Sequence, residues 1–243
     1  MSGAAGRRAV HPIEAESYRI LRGLVDLSGL GPLSRAVAER VVHASADPSW
    51  AADLLLDEQA LAGGLAALRA GAPVVVDARM VAAAVTSRPT MCALDLAPAH
   101  PEAAGPLPAS EDAGSGRLPA RQDGGGPPPV RADAGLPDRL LAEDGPVGPE
   151  TRSATGVRAA FDRVGPGAVW VVGCAPTALD ALLRLPAAPA LVVGLPVGFV
   201  GAAEAKRALA ASGLPAVTNR GARGGSAVAA AALNALLYHQ EPA

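Results

Sequence analysis

Few side chains in this sequence can exchange a proton or bind a metal near neutral pH: the four histidines His11, His43, His100 and His239, and the two cysteines Cys92 and Cys174. They are scattered. No C-x-x-C or H-E-x-x-H spacing joins them, so no metal site is expected. No G-x-S-x-G marks a nucleophile elbow. Two cysteines cannot make a disulfide framework and read as reduced core residues. What remains is His43, in SRAVAERVVHASADPSW at residues 34–50. On a helix, Glu39, Arg40 and Asp47 would share its face. The two carboxylates and the helix end favour an imidazolium, and Arg40 opposes it. Two readings stand: a solvated histidine at a helix exit, or a general acid working near neutral pH.

A second set of candidates is backbone rather than side chain. Asp77 follows the valines of PVVVDA, and three glycine-rich stretches follow other apolar runs: GCAPT at 173–177, GLPVGFVG at 194–201 and NRGARGGS at 219–226. Glycine permits close backbone approach, and amides at helix N-termini favour anions. With Arg220 and Arg223 these turns suggest a site for several carboxylates or phosphates. None carries the full dinucleotide or P-loop pattern, which disfavours a nucleotide-dependent enzyme. Of the aromatic residues Tyr18, Trp50, Phe161, Trp170, Phe199 and Tyr238, only Phe199 falls in a turn where it could stack on a flavin.

The elements that must position these groups alternate. IEAESYRILRGLVDLS places Ile13, Ser17, Ile20, Leu21 and Leu24 on one helical stripe. Ser17 reads either as a serine bonded to its own helix or as a group facing a ligand. A second helix is expected from an N-cap at Ser34 to about Asp47-Pro48, and a third to close on Gly71. PVVVDA and MCALDL read as strands. After residue 150, helices alternate with the strands AVWVVG, ALVVG and PAVTN. This alternation implies a doubly wound α/β fold with a five-stranded parallel sheet of the flavodoxin-like kind. Its ligands would lie beyond the carboxyl ends of the strands.

Residues 97–150 interrupt the pattern with Pro, Gly, Asp and Arg and little apolar periodicity. They read as a long disordered insertion in one domain spanning 1–243. Hydrophobic residues make up 50% of the chain and aromatics 2%, so the core must be built from Ala, Val and Leu. A net charge of -2 gives no reason to expect nucleic acid or an anionic membrane as partner. The basic N-terminal residues are followed by no apolar run of signal-peptide length and no stretch approaches membrane-span length, so a cytoplasmic protein is expected.

Six motifs, RVVHASAD, GAPVVVDARMVAAAVT, TRSA, VVGCAPTAL, GLPVGFVGAAEAKRAL and RGARGGSAVAAAALNAL, resemble in order the segments of the precorrin-8X methylmutase family. The likeness covers roughly residues 12–96 and 150–237. It implies a flavodoxin-like homodimer of cobalamin biosynthesis that moves a methyl group from carbon 11 to carbon 12 of a tetrapyrrole bearing many carboxylates, giving hydrogenobyrinate. No cofactor or metal is implied. The cobalt-precorrin-8 reaction and a non-catalytic corrinoid-binding relative are the alternatives. The resemblance implies His43 as proton donor, and Ser17, Arg40, Thr86 and Arg152 as substrate contacts. Cys174 stands where the family usually has asparagine.

Overall fold

The central strands are apolar on both faces because helices cover both. The computed structural model describes residues 11–98 and 151–239, which belong to one compact unit. Five strands run parallel: β2 (Val74–Val76), β3 (Met91–Cys92), β4 (Val169–Val172), β5 (Leu191–Gly194) and β6 (Ala216–Asn219). A sixth, β1 (Leu54–Leu55), lies antiparallel on the outer edge of β6, with Leu54 opposite Asn219 and Leu55 opposite Thr218. The sheet order is β1-β6-β5-β4-β2-β3. The expected five-stranded parallel sheet is therefore a mixed, six-stranded one. The extra strand is two residues long, too short to show a period of its own. MCALDL also yields only a two-residue strand, because Ala93–Leu96 turns into a 3-10 helix. The insertion expected at 97–150 lies, from residue 99 on, outside the described residues.

Side chains alternate between two layers. Val74, Val76, Val169, Val171, Leu191 and Val193 face α2 (Pro32–Ser45), α4 (Glu58–Arg69), α5 (Arg79–Ala84) and α9 (Ser226–Leu237). Val75, Trp170, Val172 and Val192 face α6 (Arg152–Val164), α7 (Pro176–Leu183) and α8 (Ala202–Ala211). Helix α9 is buried on all sides because α2 lies across its outer surface, and α2 carries α1 (Pro12–Leu24) in turn. That stacking decides where polar groups on α1 and α2 can meet. Among the described residues, no helix is long and apolar enough to cross a membrane.

One helix start differs from expectation. Helix α2 starts after Gly31, with Pro32 as its first residue, and Ser34 lies inside it. Its free amides are capped from another element: both carboxylate oxygens of Glu58 accept, from Leu33 N and Ser34 N at 2.8 Å. A Cβ at residue 31 would sit 2.5 Å from that side chain, so glycine is what admits Glu58. Helix α4 behaves as its sequence implies, with Asp57 accepting from Ala60 N and Gly71 turning the chain at φ +89°.

Candidate active site

Helix α1 buries only Leu21, so its polar residues are free to serve α2. Along α2, positions 39, 40 and 43 each reach across to it. Glu39 is buried and accepts from Nε and Nη2 of Arg22 at 2.7 and 2.8 Å. Arg40 donates to Glu14 at 3.2 Å and to the Tyr18 hydroxyl at 3.4 Å. His43 meets Ser17, whose Oγ lies 2.8 Å from Nδ1. The Tyr18 ring stacks on the imidazole, with centroids 4.8 Å apart and planes 13° apart.

The same cluster extends to two more elements. Arg40 stands over the Tyr238 ring at 5.4 Å, just beyond the end of α9. The Tyr238 hydroxyl is 2.8 Å from Thr86 Oγ1, in the exit from α5. Ser17, Arg40, His43 and Thr86 are thus joined through two tyrosines. Arg152 is not joined to them among the described residues. It is the first residue of α6, on the other face of the sheet, behind a Thr151 whose Oγ1 bonds Thr177 Oγ1 at 2.8 Å.

The local charge argument about His43 does not hold. Glu39 is engaged by Arg22, and Asp47 by Arg223 and Ser49. The side chains that meet the imidazole come from α1, 25 and 26 residues earlier in the chain. Sequence reading missed Tyr18, Glu14 and Tyr238. One signal was present: Glu14 and Tyr18 are four residues apart and flank Ser17, so a helix that offers Ser17 to α2 offers them as well.

The glycine-rich edge is different in kind: the GCAPT amides and both arginines expected to meet an anion are bonded within the protein. Asp77 is buried, and its two oxygens accept from the amides of Gly173, Cys174 and Ala175 at 2.8–3.0 Å. The GCAPT amides that were to meet a ligand are therefore occupied by the protein's own carboxylate. Burial pushes the Asp77 carboxyl above its ordinary range, against the pull of those amides. Cys174 Sγ lies 2.8 Å from Ser226 Oγ, and burial raises its thiol as well. Arg223 pairs with Asp47 and Asp53 and stacks on buried Trp50 at 4.5 Å. Arg220 donates to the Ala52 carbonyl at 3.0 Å. Buried Lys206 completes the closure, donating to Asn219 Oδ1 at 3.0 Å and to the Arg223 carbonyl. Phe199 remains 86% exposed. Among the described residues, no group of three His, Cys, Asp or Glu side chains is placed to hold a metal ion.

Comparison with known proteins supplies the chemical context. The family model of precorrin-8X methylmutase matches residues 12–103 and 138–239. A precorrin-8X methylmutase of Pseudomonas aeruginosa is 37% identical, over 94% of this chain and 95% of its own. A cobalt-precorrin-8 methylmutase of Synechocystis is 32% identical, over 93% and 94%. A crystal structure described as the precorrin-8x methyl mutase from Thermus thermophilus superposes with a TM-score of 0.67 and 32% identity, covering 93% of this chain and 96% of that one.

Proposed function

We propose that this chain, which belongs to the precorrin-8X methylmutase family, moves a methyl group from carbon 11 to carbon 12 of precorrin-8X to give hydrogenobyrinate, with His43 as proton donor. The observation that carries this reading is the Ser17–His43 contact, stacked under Tyr18 and linked through Arg40 and Tyr238 to Thr86. The reaction is an isomerisation. The bond from the methyl carbon to carbon 11 breaks and the bond to carbon 12 forms, and nothing is gained or lost. A proton lent by Nε2 to a ring nitrogen makes the macrocycle electron-poor during migration and returns to Nε2 afterwards. Ser17 suits that cycle because its hydroxyl accepts from Nδ1–H, and Nδ1 keeps its proton whether or not Nε2 carries the second one, so the ring keeps its hold in both states. One positioned acid in a shaped surface is enough machinery for such a step.

The other groups fit substrate contacts. Arg40 is half-buried and Arg152 exposed, and both suit peripheral carboxylates. Thr86 is exposed and offers a hydroxyl beside that of Tyr238. Ile13, Ile20 and Leu24 are 75%, 50% and 64% exposed and flank Ser17 on α1. An apolar stripe beside a polar catalytic group supports both a packed macrocycle and a homodimer in which a second copy covers the helix. The parallel strands β2 to β6, taken in chain order, lie 2-1-3-4-5, which supports a flavodoxin-like reading of the fold. A cytoplasmic location fits a biosynthetic enzyme.

Relatives named for the metal-free and the cobalt-containing substrate match about equally well, so the test uses both. Purified protein given precorrin-8X is expected to yield hydrogenobyrinate with its visible spectrum. Conversion of cobalt-precorrin-8 alone would reassign the substrate. Binding without conversion of either would make the chain a corrinoid carrier. His43→Ala is expected to keep tetrapyrrole affinity and lose about 100-fold in kcat, the scale of a missing general acid. Undiminished turnover in that variant would remove His43 from the chemistry.

A further inference from the structure

We infer that Tyr18 is a positioning residue for His43: it fixes the plane of the imidazole so that Nε2 is the nitrogen presented to substrate. The inference rests on the proposed role of His43 and goes one residue beyond it.

The geometry starts from α1. Consecutive helical residues point about 100° apart, so Ser17 and Tyr18 form two walls of a notch, and the His43 side chain lies in it. Ser17 takes the edge of the ring at Nδ1, 2.8 Å away. Tyr18 takes the face, at 4.8 Å between centroids and 13° between planes, within the range of an offset stack. An imidazole held only by one hydrogen bond at its edge could still rotate about that bond. A flat ring lying against it removes that rotation. Nε2 is then left without a hydrogen-bond partner among the described residues.

Tyr18 is itself braced, which a positioning group requires. Its hydroxyl accepts from Arg40 Nη1 at 3.4 Å, and the Arg22 guanidinium lies 5.8 Å from its ring centroid. Both arginines are held in turn, Arg40 by Glu14 and Arg22 by buried Glu39. The brace thus runs back to α2, the helix that carries His43. General core packing does not account for the arrangement, since Leu21 is the one buried residue of α1.

The prediction separates the ring from the hydroxyl. Tyr18→Phe keeps the stack and the Arg22 guanidinium over the ring but loses the bond from Arg40, and is expected to lower kcat by no more than about threefold. Tyr18→Leu keeps bulk on the helix but loses the flat face, and should lower kcat about tenfold with KM within about twofold, as misplacement of a catalytic group does. In a His43→Ala background Tyr18→Leu should change kcat by less than twofold, because a residue acting only through His43 has nothing left to act on. A tenfold loss in that background, or equal damage from Phe and Leu, would overturn the inference. A second readout does not depend on turnover. The His43 ring protons, shifted upfield in NMR by the overlying aromatic ring, should stay so in Tyr18→Phe and move downfield in Tyr18→Leu. If the wild-type chain converts neither substrate, the proposed function falls, while the NMR comparison still decides the placement of the ring. Ring-proton shifts identical in all three proteins would show that Tyr18 does not lie over His43.

Discussion

Two regions of this molecule carry arginines, glycines and carboxylates in patterns that suggest a site, and they use them in opposite ways. At the carboxyl edge of the sheet the polar groups face inward and satisfy one another. Asp77 fills the amides of the β4–α7 turn, Arg223 is clasped by two aspartates over Trp50, and Lys206 holds the turn before α9. On α1 and α2 the polar groups form a half-buried surface cluster in which His43 has one nitrogen held and the other unclaimed among the described residues. The first region is a closed clasp and the second an open one. Residue type does not distinguish them. What distinguishes them is whether each group already has its partners.

The largest effect expected from this contrast is on stability, at Asp77. Removing the carboxylate in Asp77→Ala leaves three amides without an acceptor near the core, at a cost of about 3 kcal/mol or more. For a domain of this size that lowers Tm by roughly 6–12 °C, measurable by scanning calorimetry. If Asp77→Ala melted like wild type but lost substrate affinity, the edge would be an open site after all and the contrast would fail.

Lys206 sharpens the same point through pH. Burial, helped by the nearby Arg223 cation and opposed by Asp53, lowers its pKa to about 8. The unfolded chain keeps its lysines protonated up to the ordinary value near 10.4. Between those values the unfolded state binds more protons than the folded state, so this group's contribution makes stability rise with pH. Relative to Lys206→Met, wild-type protein should gain about 2 kcal/mol between pH 8 and 10 in urea unfolding. A flat difference would mean that the ammonium is not confined within the clasp.

The sequence carries most of the fold and about half of this contrast. Continuous β-branched runs such as PVVVDA and AVWVVG mark strands covered on both faces, and their alternation with helices follows from the same burial. Strand β1 left no signal, because two residues on a sheet edge have no period. The α2 cap was invisible for another reason: its partner Glu58 comes from α4 and reaches in only because residue 31 lacks a side chain. For the site, the family resemblance singles out Ser17, Arg40, His43, Thr86 and Arg152; the fold gathers the first four and leaves Arg152 on the other face of the sheet. Charge spacing on α2 could not decide the role of His43: Glu39 and Asp47 are its neighbours along the helix but are bonded to Arg22 and Arg223. Which groups are already partnered is a tertiary fact, and that is why the glycine-rich edge read as a ligand site.

The smallest effects come from two arginines, one in each region, and they should cross. Arg223 combines exposed ion pairs, each worth about 0.2–1 kcal/mol, with a stack on Trp50 worth about 0.5–1 kcal/mol. Arg223→Ala should therefore lower stability by about 1–2 kcal/mol while KM for the tetrapyrrole stays within about threefold. Arg40 makes one longer ion pair, at 3.2 Å to Glu14, and stands over Tyr238 at a partly open surface. Its loss should lower stability by about 0.5 kcal/mol but raise KM about tenfold, the scale of one charge-assisted bond to a substrate carboxylate. Arg40→Lys tests the geometry, since an ammonium keeps the charge and loses the two-pronged fork. Recovery of no more than half the binding energy is expected for it. If instead Arg223→Ala weakened binding and Arg40→Ala weakened only the fold, the clasp and the site would have to be exchanged, and His43 would lose the partner that links it to Thr86.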